Sequence, residues 1–341
     1  MTEAITDTTA ATEALLAVEH LSVQFAVRGG TITVVDDVDL SLRAGEVHAV
    51  VGESGSGKSV TALAIMGLLP RRTARVSTGR ILLKGRDLVT LSERDLRRVQ
   101  GREIAMVFQE PMTSLNPAFT VGDQIAESVR YHLGSSRKAA RQRAIELLAE
   151  VGIPQPDRRY GSYPHEFSGG MRQRVMIAVA LACEPAVLIA DEPTTALDVT
   201  IQAQIIELLH RLTRDHETAV MFITHDFGVV AEVADKVTVM YAGQVIEHAD
   251  VDDLFEHPRH PYTSALLHAV PSLEDDLDEA DHDLLPGAPP PPDAFPFGCR
   301  FAPRCPDAVS ACVDNPVVMS SHASRSVRCV RADELSLVGR T

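Results

Sequence analysis

Tryptophan is absent from this 341-residue chain and aromatic residues make up only 4% of it. The aromatic belts that seat membrane-spanning segments at the bilayer interface are therefore missing. No apolar run reaches the roughly 18–20 residues that a bilayer crossing needs. The longest one, residues 175–182, is far shorter and follows Arg172 and Arg174. The opening stretch, MTEAITDTTAATEALL, carries Glu3 and Asp7 and no basic residue, so it does not read as a secretory signal. Basic residues are in deficit, 32 Lys and Arg against 47 Asp and Glu, for a net charge of −15. A protein whose main work is gripping a phosphate backbone leans the other way. There is no internal repeat of 20–50 residues. These absences lead to the expectation of a chain kept in the cytoplasm, with any membrane role coming through a partner.

What is present is an ordinary globular composition, 45% apolar and 23% charged, over a length that suits two or three units. Residues 1–14 read as a disordered lead-in. From 15 to 255, short β-branched runs alternate with helical patterns, the signature of an α/β domain. A His-Pro-Tyr segment spans 256–271. Residues 272–294 read as a linker, because seven of the ten positions 274–283 are acidic and 289–292 is a proline run. Residues 295–330 hold four of the five cysteines, and 331–341 form a tail.

Gly52-Glu53-Ser54-Gly55-Ser56-Gly57-Lys58-Ser59 fits G-x-x-x-x-G-K-[ST], the phosphate-binding loop. Residues 46–51 before it read as an apolar strand, and 60–69 after it, starting with Val60, as an apolar helix. Glycines let successive backbone N–H groups wrap phosphate oxygens, and the helix N-terminus adds partial positive charge. Lys58 is expected to reach the β- and γ-phosphates, and the Ser59 hydroxyl to bind Mg²⁺. A glycine-rich turn that merely starts a helix is the bland alternative, and the flanking strand and helix speak against it.

A second element complements the first. Residues 186–190, AVLIA, form an apolar run that ends in Asp191-Glu192. A buried parallel strand reads as a continuous apolar run, and acids at its C-terminal end sit at the ligand edge of the sheet. Asp191 is placed to hold Mg²⁺ and Glu192 to act as general base toward the attacking water.

Between these motifs lies Phe167-Ser168-Gly169-Gly170-Met171-Arg172-Gln173, followed by a helix. This resembles the signature sequence of the ATP-binding-cassette (ABC) ATPases, with phenylalanine and methionine where that family commonly has leucine and glutamine. A helix N-terminus with bare backbone donors suits a γ-phosphate. The resemblance implies that Ser168, Gly169, Gly170 and Met171 meet the ATP bound by an opposite subunit, so that two cassettes close around two nucleotides. It further implies that Gln109 senses Mg²⁺ and the attacking water, that Asp198 belongs to the loop 196–198 crossing to the other subunit, that His225 contacts the γ-phosphate, and that Phe25 stacks on adenine. Phe25 reads equally as core. The implied fold is α/β: a P-loop ABC nucleotide-binding domain with a RecA-like core, an antiparallel β subdomain and a helical subdomain that includes 137–151, capped by Gly152. A small cysteine-containing extension follows it.

His257-Pro258-Arg259-His260-Pro261-Tyr262-Thr263 and the downstream Cys299-Arg300-Phe301-Ala302-Pro303-Arg304-Cys305-Pro306 resemble the extension of ATPase subunits of oligopeptide, dipeptide and nickel importers. Cys299, Cys305, Cys312 and Cys329 crowd a segment that reads as poor in other core, and thiolates favour soft ions and iron–sulfur clusters. No C-x-x-C pair is present, which weakens structural zinc. The resemblance implies a [4Fe–4S] cluster, with zinc as the alternative, whose role is to tie together or sense rather than to carry out a redox reaction. Cys183 reads as core. The arginines 94, 97, 98 and 102 read as a solvated helix face.

The leading expectation is an ATP hydrolase that powers an importer of peptides or similar small solutes. It would sit peripherally at the cytoplasmic face of the cell membrane, under two multi-spanning permeases. A second ABC ATPase, identical or homologous, and an extracellular solute-binding protein complete the expected assembly, with no nucleic-acid partner. The competing class is a soluble ABC ATPase acting on nucleic acid or the ribosome, and the acidic charge and single cassette speak against it. A non-hydrolysing regulator is disfavoured by Glu192 and His225.

Overall fold

Apolar β-branched runs and amphipathic runs alternate along the chain, and the computed structural model turns each into the element its period dictates. It describes residues 14–109, 114–195, 198–269, 287–322 and 324–340. In chain order come β1 (Leu16–Val27), β2 (Gly30–Leu42), β3 (Val47–Val51), α1 (Lys58–Ile65), β4 (Ala74–Leu83), β5 (Arg86–Asp87), α2 (Glu93–Val99), β6 (Ile104–Val107), α3 (Val121–Leu133) and α4 (Arg137–Glu150). Then follow α5 (Pro156–Arg159), α6 (Gly169–Ala180), β7 (Val187–Asp191), α7 (Val199–His216), β8 (Ala219–Thr224), α8 (Phe227–Val233), β9 (Lys236–Tyr241), β10 (Gln244–Asp250), α9 (Val251–Glu256) and α10 (Pro261–His268). The chain closes with α11 (Ser310–Asp314), β11 (Ser320–His322) and β12 (Arg325–Val327). Among the described residues no helix is long and apolar enough to cross a membrane.

The chain divides into two compact units. One is formed by Ser41–Glu46 and Leu82–Phe222 with the first residues of β1. Here β6 and β7 run parallel, pairing Ile104 with Val187 through Val107 with Ala190, and both are buried along their lengths. Because they run parallel, their C-terminal ends emerge at one edge, and Gln109 and Glu192 leave the sheet there. The helices of this unit are set by their caps. Thr120, Ser136, Ser168 and Asp198 each accept a hydrogen bond from a backbone N–H of the first turn of α3, α4, α6 and α7. Gly134 and Gly152 follow α3 and α4 at φ values of 65° and 78°, the left-handed stop that glycine takes without strain. Helix α6 packs on α3, α4, α7 and β6, burying Val175, Met176, Ile177 and Ala178.

The other unit comprises Val18–Leu40, Val47–Ile81 and the chain from Ile223 onward. Strand β3 pairs parallel with β9, placing Val51 opposite Val239, and β10 returns antiparallel to β9. A separate sheet orders β2, β1 and β4 side by side. The C-terminal segment departs from the expectation of a stretch poor in core. Strand β12 adds antiparallel to β10, Glu247 opposite Val327, and β11 folds back on β12. Phe301 is 1% exposed and shares a core with Tyr241, Tyr262 and Leu254. Strands this short carry too little pattern to be read from sequence; pairing with β10 makes β12, and pairing with β12 makes β11. Residues 338–340 are anchored as well, since Ser264 Oγ donates to Val338 O and Arg340 N to Phe255 O.

Candidate functional site

The phosphate-binding loop leaves the buried end of β3 and enters α1 at Gly57, which takes φ 104°. Helix α1 begins at Lys58, earlier than the sequence suggests, and ends by Met66, ahead of Gly67 at φ 65°. Gly52 permits the tight exit: a Cβ there would lie 2.1 Å from Met240 O, and its φ is 146°. Lys58 is buried, with its ammonium donating to Gly52 O at 2.6 Å and Glu53 O at 3.1 Å. Ser56 is buried, whereas Ser54 and Gly55 are exposed and Ser59 and Val60 partly so. Glu53, silent in the motif, is held at several atoms: its N–H donates to Tyr262 Oη at 2.9 Å, and its carboxylate accepts from both terminal nitrogens of Arg304.

In the other unit Asp191 ends β7 nearly buried, and Glu192 follows at φ 45°, a left-handed conformation uncommon outside glycine. Glu192 Oε2 accepts from Gln109 Nε2 at 2.7 Å and from Thr195 Oγ1 at 2.9 Å. A loop amide and a hydroxyl therefore aim one carboxylate. Thr195 carried no signal in the sequence reading beyond proximity to the acid pair.

The signature segment places Ser168 as the N-cap of α6, accepting from Met171 N at 3.4 Å. Gly169 opens the helix exposed, and Gly170 and Met171 are partly exposed. A Cβ on Gly170 would come within 2.5 Å of Ile201 Cγ2, so glycine lets α6 approach α7. Asp198 caps α7 through Ile201 N at 3.0 Å, while residues 196 and 197 of the same loop lie outside the described residues. His225 is exposed immediately after β8, and Phe25 is half-buried on β1 rather than part of the core.

Cys299, Cys305, Cys312 and Cys329 line one cavity of about 20 Å³, walled by Phe301, Ala302, Val330 and Leu335. Cysteines spaced by 6, 7 and 17 positions thus converge on one place. Burial pushes the Cys305 and Cys329 thiols up to about 11 and raises Cys299 as well. His260 lines the same cavity at 1% exposure. Its Nδ1 accepts from Tyr262 N, so the ring proton sits on Nε2, which has no hydrogen-bond partner; burial pushes its pKa down to about 3. Cys183 is buried elsewhere, its thiol raised by burial.

A model of the ABC transporter family matches residues 35–195, and one of the oligopeptide/dipeptide transporter C-terminal region matches 246–312. The oligopeptide transport ATP-binding protein AppD of Bacillus subtilis (strain 168) is 50% identical over 321 residues, 94% of this chain and 97% of its own length. The chain belongs to the ABC transporter family, as an ATP-binding subunit of the oligopeptide/dipeptide type. This ABC subunit is also 53% identical over 300 residues to the dipeptide transport ATP-binding protein DppD of the same organism, covering 88% of this chain and 89% of that one. Among solved structures, the ATP-binding cassette MJ0796 bound to ADP and Pi aligns with a TM-score of 0.62 at 26% identity, over 69% of this chain and 98% of that one. The cassette cbiO1 from Clostridium perfringens, part of the cbiONQ complex, aligns with a TM-score of 0.60 at 29% identity, over 71% and 91%. The α/β P-loop ABC fold is thereby established, and the subunit is an ATP hydrolase of that family.

Proposed function

We propose that ATP hydrolysis by this subunit powers uptake of oligopeptides, dipeptides or similar small solutes through two multi-spanning permeases. In this reading a second ABC ATPase, identical or homologous, closes against it, and an extracellular solute-binding protein delivers the cargo. The subunit is peripheral, at the cytoplasmic face of the membrane. One observation carries the reading: the likeness to oligopeptide and dipeptide transport ATP-binding proteins runs through both the cassette and the C-terminal extension. The cassette is taken as residues 15–255, followed by the His-Pro-Tyr segment, linker, cysteine segment and tail at the boundaries given above.

The residues divide the work as follows. Loop N–H groups of Gly52 to Val60 and the Lys58 ammonium cradle the phosphates, and Phe25 packs on adenine. Glu192, aimed by Gln109 and Thr195, takes the proton of the attacking water. His225 donates to the γ-phosphate. Ser168, Gly169, Gly170 and Met171 face the nucleotide of the opposite subunit, with Asp198 at the crossing loop. The hydroxyl of Ser59, the carboxylate of Asp191 and the amide oxygen of Gln109 are hard oxygen donors, which fit Mg²⁺. Bound there, Mg²⁺ supplies charge neutralisation on the transferring phosphoryl group.

The reading extends to a [4Fe–4S] cluster held by Cys299, Cys305, Cys312 and Cys329. Four soft donors surround one apolar space, and a buried imidazole N–H without a partner borders it. Zinc is the alternative, and the lack of a C-x-x-C pair weakens it.

The importer reading is tested by gentle-detergent co-purification of the tagged chain from native membranes, with partners identified by mass spectrometry. Two multi-spanning permeases are expected. Recovery only from the soluble fraction with nucleic acid or ribosomes would overturn the importer and leave the ATPase standing.

A further inference from the structure

The second residue of the phosphate-binding loop is fixed by side chains from the far end of the chain. Glu53 N–H donates to Tyr262 Oη at 2.9 Å, 209 positions away in sequence. Its carboxylate takes a two-pronged bond from Arg304, Nη1 to Oε2 at 2.7 Å and Nη2 to Oε1 at 3.1 Å, 251 positions away. Its carbonyl accepts from Lys58 Nζ at 3.1 Å. Ser56 N donates to the same carbonyl at 3.2 Å, so every polar group of Glu53 is engaged, and its N–H and carboxylate are both held by residues C-terminal to the cassette. Those holds are themselves rigid. Arg304 is 6% exposed, lies one residue before Cys305, and has Tyr241 Oη as a further acceptor at 3.2 Å. Tyr262, Tyr241 and Phe301 pack mutually, with ring centroids 4.7–5.3 Å apart. A planar guanidinium matched to a carboxylate fixes direction as well as distance.

The loop works by aligning consecutive backbone N–H groups on phosphate oxygens. A carboxylate in that loop opposes the negative charge of a nucleotide unless it is neutralised. We propose that Tyr262 and Arg304 are positioning residues for the phosphate-binding loop: Tyr262 sets the backbone at Glu53, and Arg304 both aims and neutralises the Glu53 carboxylate, so that the C-terminal segment sets the affinity for ATP. This rests on the reading that ATP binds at the loop.

The test is titration of ATP into the full-length chain by calorimetry, with steady-state hydrolysis and thermal melting of the nucleotide-free protein alongside. Tyr262→Phe keeps the aromatic packing and loses the acceptor, and is expected to weaken ATP binding a few-fold. Arg304→Gln is expected to raise Kd and KM tenfold or more while kcat at saturating ATP changes far less. Adding Glu53→Gln to Arg304→Gln removes the uncompensated charge and should recover a large part of the lost affinity. A purely structural role would lower the melting temperature without this recovery. Kd values within twofold of the unaltered chain in folded Tyr262→Phe and in Glu53→Gln/Arg304→Gln, together with no deficit in Arg304→Gln, would overturn the proposal. Should Arg304→Gln not fold, Tyr262→Phe decides alone. Failure of the unaltered chain to bind ATP would instead overturn the reading of the loop itself.

Discussion

Gln109 donates from Nε2 to Glu192 Oε2 at 2.7 Å, joining the loop after β6 to the acid after β7 across 83 positions of sequence. The bond exists because the two strands run parallel in register, so residues just past their C-terminal ends emerge side by side. With Thr195 on the same oxygen, Glu192 has one carboxylate atom committed to orientation.

A carboxylate held this way keeps its place when its charge is removed. Glu192→Gln is expected to keep ATP affinity within a few-fold while hydrolysis falls roughly 10²–10⁴-fold, the range for removing a positioned general base. Steady-state phosphate release and equilibrium ATP binding measured on the same preparation separate the two effects. Near-normal hydrolysis would remove Glu192 from this role.

Lys58→Ala acts on binding instead. The buried ammonium bonds two carbonyls of its own loop, so its loss takes away both a positive charge and a tie that shapes the loop. Weaker ATP binding by tenfold or more is expected. Unchanged affinity with lowered kcat would place Lys58 in the transition state alone.

At the start of α6, helix packing depends on a missing methyl. An alanine at Gly170 brings its Cβ to 2.5 Å from Ile201 Cγ2, and a β-branched side chain has little freedom at χ1 to yield. Gly170→Ala is expected to destabilise by about 1–3 kcal/mol, the usual range for overpacking. Ile201→Ala in the same chain should return part of it. Additive losses in chemical denaturation of the double variant would show that the clash is not the cause.

These residues were legible to different degrees, and for physical reasons. The phosphate loop, the acid pair and the signature lie in contiguous stretches where spacing alone dictates chemistry. The convergence of the four cysteines was legible from their crowding. Strands β11 and β12 were not, because three residues carry no period; β12 gains its structure from the edge of β10 and β11 from β12. Tyr262 and Arg304 stood inside stretches singled out in the sequence, yet their partner Glu53 occupies a position the loop motif leaves free. Only the tertiary fold pairs them.

The cysteine cavity predicts a coloured protein. Anaerobically purified chain is expected to be brown and to carry about four irons, and Cys299→Ser or Cys329→Ser should lose both colour and iron. Because Phe301, Val317 and Val327 are buried in the described structure, the fold of the segment should persist in part after the group is lost. A colourless protein with stoichiometric zinc would overturn the cluster.

The last prediction concerns a buried imidazole and a half-buried one on the sheet of the phosphate-loop unit. Thr238 Oγ1 bonds His48 Nε2 at 2.7 Å and His248 Nδ1 at 2.9 Å, and the two rings lie 5.2 Å apart. One hydroxyl offers a single proton, so it donates to one ring and accepts from the other. Burial, and secondarily the charge of Lys236, push the pKa of His248 down to about 4 from 6.5, with Asp250 opposing. Between those values the unfolded chain binds a proton that the native state refuses. Stability is therefore complete above about pH 6.5 and falls as the pH drops toward about 4, by up to about 1.4 kcal/mol per pH unit from this group. His248→Gln keeps a hydrogen-bonding side chain and removes the titration, so its stability should start lower and fall less steeply. Denaturation midpoints for both chains at about pH 7.5 and about pH 5.5 measure the difference, and parallel losses in the two would show that the acid sensitivity lies elsewhere.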